Sequence, residues 1–470
     1  MNTNLCDLTI SEASNLIQQG SLSPVELTRA HLERIEQLQP RLNAYITVVA
    51  EQAMEQARVA EAEVRDPLEY RGPLHGIPIA LKDLYETAGI RTTAGSSFLT
   101  DYIPTEDAFV VKRLKEAGAI LLGKLNMHEW ALGVINDNAH YGACRNPWDV
   151  TRSPGGSSGG SGAALAASLC MGSLGSDTRG SIRIPAALCG VVGLKPTYGR
   201  VSLRGVIPLS WSLDHAGPMA RTVRDVALLM DAINGYDPED PGCVQAPQES
   251  GGYQHGLYEV PLELKVAVLR GEFFESAAPE VQVVFEAALK TLREHAGVRF
   301  EIIDVPFPDM REFWLESRIT TSVDAATYHE VRLKSEPEGF APDVLDRMRG
   351  GLAFSGVDYA RARRAQTILT RRLTSLLDDY DLIVTPTTPM TAPTLEAGAE
   401  LDSARLYLSS FTAPFNMAGL PAISIPCGFT PAGLPVGLQL VGKHWAEADV
   451  LRAALAYETV TGWHTRRPVM

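Results

Sequence analysis

Apolar residues follow two spacings that alternate along the chain. A spacing of three to four residues, typical of one face of a helix, occurs at residues 222–235 and 279–297. Short continuous apolar runs, typical of strands buried on both faces, occur at residues 264–270, 298–305 and 436–443. Helices that alternate with buried strands predict an α/β fold in which helices cover both faces of a central sheet.

The first part of the chain carries signals for helices. We expect residues 1–65 to be helical, with Ser23 capping a helix that Pro40 ends. After this segment, the run GIPIALKD indicates a short buried strand that leads to Lys82. Thr105 is expected to cap the next helix, which a glycine ends before another buried strand begins.

One segment has the composition of a linker. Residues 235–256 are rich in proline, glycine and acidic side chains. We interpret them as a long surface loop, because strand patterns continue on both sides of the segment. The pattern therefore predicts one large domain that spans residues 1–470.

Composition excludes several classes of protein. Apolar residues make up 45% and charged residues 21% of the 470, and 42 basic against 56 acidic residues give a net charge of −14. An acidic chain without a long basic run is not typical of a nucleic-acid binder. Its six cysteines form no C-x-x-C pair, which argues against a metal site. The absence of a signal peptide pattern and of an 18-residue apolar run favours a cytoplasmic protein without a membrane partner.

The segment from residue 153 to 190 concentrates serine and glycine but contains no histidine. It lacks the Gly-Lys-Ser/Thr ending of a phosphate loop and the spacing of a dinucleotide loop. Residues 155–159 fit the G-x-S-x-G pattern, but the preceding RNPWDVTRSP cannot form the buried strand of a nucleophile elbow. A nucleophilic serine here would therefore need a base from elsewhere in the chain.

Ser181 and Lys82 are candidates for the nucleophile and its base. Small residues before Ser181 allow successive backbone N–H groups to point at one oxyanion. Lys82 ends a buried strand, and burial favours the neutral amine, which is a competent base for serine. Taken alone, each residue also has a structural explanation: Ser181 as a turn or cap residue, Lys82 as a side chain that reaches solvent or pairs with Asp83.

Several motifs together identify a resemblance that covers essentially the whole chain and is weakest between residues 235 and 380. In order, these are GIPIALKD, GKLNMHE, RNPWD, SPGGSSGGSGAALAA, GSDTRGSIRIPAALCGVVGLKPTYGR, SLDHAGPMARTVRDVA, LIVTPTTP and FNMAGLPAISIPCGF. They resemble the amidase signature family. The resemblance implies a single α/β domain with a mixed, twisted central sheet covered by helices on both faces.

The resemblance also implies a catalytic set. The family's Ser–cis-Ser–Lys triad falls on Ser181, Ser157 and Lys82, with a cis peptide bond before Ser157. The oxyanion hole falls on the backbone of the loop that ends at the nucleophile, namely Thr178, Arg179, Gly180 and Ser181. The implied reaction forms a seryl acyl-enzyme and needs no metal or organic cofactor.

Two departures from the family pattern bear on the substrate. Arg179 replaces the first of two glycines that usually precede the nucleophile. The A subunit of glutamine-dependent tRNA amidotransferase has a motif before LPAIS that resembles Asp-hydrophobic-Phe-Thr, and its acid can hold the ammonium group of glutamine. Here Ser409 stands in place of that acid. We therefore predict a stand-alone amidase that hydrolyses small neutral or aromatic amides, including aryl amides and carbamates.

The expected partner is a small-molecule amide, with no nucleic acid, and a homodimer is left open. The alternative is the amidotransferase A subunit itself. Substrate-binding residues cannot be assigned by the resemblance. Large aromatic side chains are candidates for the pocket walls: Trp130, Trp211, Trp314 and Tyr328.

Overall fold

A mixed β-sheet of eleven strands forms the centre of the molecule in the computed structural model, which describes residues 4–247, 249–257, 263–295, 299–307, 310–396 and 407–470. In chain order the strands are β1 Tyr45–Val48, β2 Pro78–Lys82, β3 Ile120–Leu125, β4 Gly172–Ser176, β5 Val192–Lys195, β6 Ala216–Ala220, β7 Glu263–Arg270, β8 Arg299–Pro306, β9 Leu382–Pro386, β10 Ala422–Phe429 and β11 Pro435–Gly442. Their order across the sheet is β1-β3-β2-β4-β6-β5-β10-β11-β9-β7-β8.

Groups of parallel strands lie on either side of an antiparallel centre in this sheet. Strand β2 is parallel to both β3 and β4, and β7 is parallel to both β8 and β9. The strands between these groups pair antiparallel. Because β2 and β4 run in the same direction, their carboxyl ends meet at one edge of the sheet, where side chains that follow the strands converge.

Sixteen α-helices are found within the described residues. They are α1 Ile10–Gln18, α2 Pro24–Leu42, α3 Ala50–Glu63, α4 Phe109–Glu116, α5 Gly159–Ala166, α6 Arg183–Cys189, α7 Val223–Ile233, α8 Tyr253–Gly256, α9 Glu272–Glu275, α10 Pro279–His295, α11 Arg311–Tyr328, α12 Glu330–Ser335, α13 Pro342–Ala353, α14 Gly356–Asp379, α15 Ala413–Met417 and α16 Glu447–Thr461.

Helices cover both faces of the sheet, which confirms the predicted α/β class and architecture. Helices α5 and α6 pack on each other and on the central strands, while α7, α10 and α16 pack on the other side of the same strands. Every residue of β2, β3, β4 and β9 is buried, as expected for strands with helices on both faces. Helix α11 packs on both α13 and α14, and α11 and α13 form a helical cap over the loop that carries Ser181.

Two predicted helix boundaries are wrong. Helix α2 continues past Pro40 to Leu42 and ends where Asn43 adopts a left-handed conformation with φ of 50°. A proline removes only one hydrogen bond near the end of a helix, so the last turn persists. Helix α4 begins after Ala108, and Thr105 therefore does not cap it.

The first 65 residues contain α1 to α3 with the short strand β1 between the second and third helices. Ser23 does cap α2, since its hydroxyl accepts hydrogen bonds from Val25 N and Glu26 N. Most of the described residues between 235 and 252 are irregular, and α8 follows them.

All six cysteines are buried and none forms a disulfide: Cys6, Cys144, Cys170, Cys189, Cys243 and Cys427. Burial raises the pKa of the Cys6 thiol to about 11 and that of the Cys144 thiol to about 12. Among the described helices, none has the length and apolar character needed to cross a membrane.

Candidate active site

Lys82 is the last residue of β2, and its side chain lies in a buried polar cluster. Its side chain is fully buried. The Nζ atom donates a hydrogen bond to Ser157 Oγ at 2.6 Å and another to Ser176 Oγ at 2.8 Å. Burial lowers the pKa of Lys82 to about 7, against the opposing effect of the Asp214 and Asp177 charges. A large fraction of the amine is therefore neutral near pH 7 and able to accept a proton.

Ser157 reaches Lys82 through a tight turn before α5. The peptide bond between Gly156 and Ser157 is cis, as the resemblance implies. A Cβ atom on Gly156 would lie 2.9 Å from Asn136 N, a backbone atom that cannot move aside cheaply, so glycine is required there. The carbonyl oxygen of Ser157 accepts a hydrogen bond from His128 N at 3.1 Å, which fixes the turn against its surroundings.

Ser181 lies in the loop between β4 and α6, and one carboxylate holds this loop in shape. Asp177 accepts hydrogen bonds from the backbone N atoms of Gly180 at 2.6 Å and Ile182 at 3.2 Å. The side chain of Arg183 donates to the same carboxylate, with Nε to Oδ2 at 3.0 Å. Burial alone would raise the pKa of Asp177, but the charge and hydrogen bonds of Arg183 hold it well below its usual range.

The structure brings the predicted residues together at one place. Ser158 N donates a hydrogen bond to the carbonyl oxygen of Ser181 at 3.3 Å, so the turn that carries Ser157 and the loop that carries Ser181 are adjacent. The Ser158 hydroxyl also donates to the carbonyl oxygen of Ser176. Lys82, Ser157 and Ser181 therefore form one cluster at the carboxyl edge of β2 and β4.

The predicted oxyanion hole needs one correction. The N–H of Gly180 already donates to Asp177, and it is not available to a developing oxyanion. Within the described residues, the N–H groups of Thr178, Arg179 and Ser181 donate to no protein acceptor. These three remain the candidates. Gly180 has a conformational role instead, because its φ is 129° and a Cβ atom there would clash with Thr412 Oγ1.

Four candidate functional residues were missed by the sequence reasoning. Each contributes a buried polar contact to the cluster: Ser176, Asp177, Arg183 and Asp214. Their only sequence signal was the presence of polar side chains next to buried strands, in GSDTRGSIR and SLDHAGP. Pairing between distant segments was needed to see them, since Asp214 lies just before β6, which pairs antiparallel with β4.

Asp214 connects the oxyanion loop to the base. Its carboxylate accepts hydrogen bonds from Thr178 Oγ1 at 2.5 Å and from the backbone N atoms of Leu209 and Ser210. Burial raises the pKa of Asp214 to about 6, opposed by those hydrogen bonds and by the charge of Lys82. The group is thus ionised above that pH and stabilises the protonated form of Lys82.

A cavity of about 390 Å³ opens next to Ser181 beneath the helical cap. Its lining includes the nucleophile loop and residues of α11 and α13. The charged residues among them are Arg179, Arg318, Asp346 and Arg347. The cavity therefore carries three cationic side chains against one carboxylate, which is not the lining expected for a neutral aromatic substrate.

None of the four aromatic residues proposed as pocket walls lines this cavity. Trp130 is buried and packs on His329, with ring centroids 4.3 Å apart. Trp211 is half-exposed and lines a different cavity. Trp314 Nε1 donates a hydrogen bond to Ser409 Oγ at 3.2 Å. Tyr328 is the last residue of α11, and its side chain is exposed.

Known proteins resemble the chain over its full length. The sequence pattern of the amidase family matches residues 26–451. The chain belongs to the amidase signature family. The A subunit of glutamyl-tRNA(Gln) amidotransferase from Moorella thermoacetica is 43% identical to this amidase over 483 residues, which cover 98% of each protein.

Two solved structures extend this similarity. A chain from a vestigial protein complex, described in connection with the origins of an s-triazine catabolic enzyme, superposes with a TM-score of 0.90 at 36% identity and covers 98% of this amidase and 100% of itself. The A subunit of glutamyl-tRNA(Gln) amidotransferase from Thermotoga maritima superposes with a TM-score of 0.80 at 36% identity, and the match covers 98% of this amidase and 96% of that protein. The chain is an amidase-type enzyme that acts on carbon–nitrogen bonds.

These relatives overturn two predictions. The expected stand-alone hydrolase of small neutral or aromatic amides is wrong, because the full-length similarity is to proteins named as one subunit of an amidotransferase. The expected absence of a nucleic-acid partner is wrong for the same reason, since the name of those relatives includes a tRNA. Net charge misled the prediction, because the net charge of a chain describes neither its local surfaces nor the proteins with which it assembles.

Proposed function

We propose that this amidase is the A subunit of a glutamine-dependent tRNA amidotransferase. In this role it cleaves the side-chain amide of glutamine and releases ammonia for an acceptor that a partner subunit holds. The observation that carries the proposal is the 43% identity to the A subunit of a glutamyl-tRNA(Gln) amidotransferase over 98% of both chains.

The first chemical step uses the cluster around Lys82. Ser181 Oγ attacks the amide carbon of glutamine while Ser157 takes the hydroxyl proton and passes its own proton to Lys82. The 2.6 Å contact between Lys82 Nζ and Ser157 Oγ gives the proton a direct path between these groups, and the lowered pKa of Lys82, about 7, leaves neutral amine to accept it. The oxyanion that forms lies against the N–H groups of Thr178, Arg179 and Ser181.

The intermediate then collapses in two stages. The proton held by Lys82 returns through Ser157 to the nitrogen, the carbon–nitrogen bond breaks, and ammonia leaves with the glutamyl group on Ser181. Water next attacks the ester, loses its proton along the same path, and glutamate leaves as the proton returns to Ser181. Both stages use the same relay, so one lysine serves as base and then as acid.

The charge on the amino group of glutamine needs a partner other than residue 409. Ser409 lines the cavity, but its hydroxyl accepts a hydrogen bond from Trp314 Nε1. Asp346 on α13 is the carboxylate in the cavity lining. We infer that Asp346 takes the place of the missing acid and binds the ammonium group of glutamine.

The acceptor tRNA is bound by another subunit in this proposal. With a net charge of −14, the chain repels a phosphate backbone unless a partner supplies basic surface. The chain therefore contributes ammonia and not the main tRNA contact.

The test is reconstitution of the full chain with the other amidotransferase subunits of its own organism. We expect ammonia release from glutamine and amide transfer to glutamyl-tRNA(Gln), with both activities lost in Ser181→Ala. Asp346→Asn should raise KM for glutamine with little change in kcat, and Asp101→Asn, at an exposed position, serves as the matched control. A reconstituted complex that leaves glutamine intact while the chain hydrolyses uncharged amides would refute the proposal.

A further inference from the structure

The side chain of Arg179, in the loop that carries Ser181, has no role in the proposed reaction. It lies two positions before Ser181 and replaces a glycine of the family pattern. Its carbonyl oxygen accepts a hydrogen bond from Thr412 Oγ1 at 2.6 Å, which holds the backbone in place. The backbone role is therefore fulfilled without any need for a charged side chain.

The guanidinium group of Arg179, a residue of the cavity lining, has a donor without an acceptor. Its Nε donates to Ser317 Oγ at 3.0 Å. Its Nη2 atom is buried and has no hydrogen-bond partner, and no carboxylate in the described part of the chain pairs with it. A buried guanidinium donor without an acceptor is unfavourable, so this arrangement favours a group that arrives with the ligand.

The electrostatic surroundings support the same conclusion. Arg318 and Arg347 line the same cavity, and burial together with their charges lowers the pKa of Arg179 to about 9. The group remains charged near pH 7. Arg347 is already paired with Asp343 at 3.3 Å, whereas Arg179 has no such acid within the described residues. An anion from outside would therefore meet an uncompensated positive charge at Arg179.

We propose that Arg179 binds a carboxylate of the substrate, so that the enzyme selects amides whose acyl part carries a free carboxylate. The proposal builds on the proposed function in one respect: when ammonia is the leaving group, the carboxylate must lie on the acyl side. The planar guanidinium matches a carboxylate with two parallel hydrogen bonds, which a lysine or glutamine side chain cannot reproduce. Glutamine, with its α-carboxylate, belongs to this class of substrate.

The experiment compares acids with their esters. Probes are glutamine, succinamate and oxamate, each beside its methyl ester, with the full chain alone and in the reconstituted complex. Equilibrium binding to Ser181→Ala is measured in parallel, because binding does not depend on turnover. The wild-type chain should prefer at least one acid over its ester by roughly 10- to 100-fold, the range expected for a hydrogen-bonded charge pair.

Variants of Arg179 locate this preference. Arg179→Gln should remove the preference, because KM and Kd for the acid should rise many times more than KM and Kd for the ester. Arg179→Lys should keep part of the preference. The matched control is Arg349→Gln, an exposed arginine on α13 outside the cavity lining, which should leave the preference intact.

The outcomes separate this inference from the proposed function. A preference for succinamate or oxamate that depends on Arg179, with glutamine inert, would support the inference and refute the amidotransferase role. Glutamine turnover in which Arg179→Gln affects acid and ester equally would overturn the inference and leave that role standing. Binding of none of the three acids to Ser181→Ala would also overturn it.

Discussion

The hydroxyl of Thr178 donates a 2.5 Å hydrogen bond to the carboxylate of Asp214, whose charge also acts on Lys82. One buried acid thus contacts the loop proposed to stabilise the oxyanion and raises the pKa of Lys82, the proposed base. The position of the loop and the protonation of the base are coupled through a single side chain.

Replacement of Asp214 by Asn should shift the pH dependence of the reaction. Burial lowers the pKa of Lys82, and the negative charge of Asp214 opposes this effect. Without that charge the pKa of Lys82 falls further, so the rising limb of kcat/KM moves to lower pH by roughly one unit. The maximum rate should fall as well, because the amide has one acceptor oxygen where the carboxylate has two, so either Thr178 Oγ1 or the Leu209 and Ser210 N–H groups lose their acceptor. Asp225→Asn, in a buried acid that caps α1, is the control and should leave the limb in place.

The wild-type pH profile follows from the Lys82 pKa of about 7. The base works as the neutral amine, so kcat/KM should increase as pH rises through about 7 and then level off. Lys82→Met should remove this limb and lower the rate at least about 100-fold. The control is Lys124→Met, which replaces a buried lysine in the neighbouring strand β3. If Lys124→Met abolished the rising limb and Lys82→Met retained it, Lys82 would not be the base.

Ser176 offers a test of how Lys82 is held. Its hydroxyl accepts one of the two hydrogen bonds that orient Nζ, so Ser176→Ala should lower kcat roughly tenfold by loss of about one hydrogen bond. The limb should move to lower pH, since an acceptor that stabilises the ammonium form is gone. Ser173→Ala on the same strand, whose hydroxyl bonds Ser161, should leave both properties unchanged. Steady-state kinetics across the rising limb would measure both effects.

The pair formed by Asp177 and Arg183 should dominate the stability of the nucleophile loop. Both side chains are fully buried, and removal of one partner leaves the other charge without compensation. Asp177→Ala should therefore lower the free energy of unfolding by about 3–5 kcal/mol. Urea denaturation would measure this change, and Glu55→Gln, in an exposed ion pair with Arg58, should have little effect. Equal effects of the two substitutions would contradict the structural role given to Asp177.

Much of the fold was predictable because its signals are local. Continuous apolar runs located β2, β3 and β11 well, since strands buried on both faces must be apolar throughout. Helix ends were less predictable. Thr105 has the right chemistry for a cap, but packing against distant segments starts α4 further along the chain, after Ala108.

The site was predictable only in part. Lys82 and Ser181 carry a chemical signature in sequence, whereas Ser176 does not, because its role depends on the parallel pairing of β4 with β2. The prediction of aromatic pocket walls was wrong for a related reason, since the sequence does not tell whether a large aromatic side chain packs in the core or lines a pocket. Trp130 packs in the core, where it is 1% exposed. The charge of the cavity could not be deduced from net charge, since its three arginines gather from separate segments.

The buried cysteines make the enzyme convenient for attached probes. Since burial raises the pKa of thiols such as Cys6 and Cys144, these groups should react slowly with maleimides or iodoacetamide in the folded state. A single cysteine introduced at Leu352, an exposed position of α13 outside the cavity lining, would then be the fast-reacting thiol, without prior removal of the natural six. A fluorophore placed there would report in real time whether the helical cap over the cavity changes its position as an amide enters.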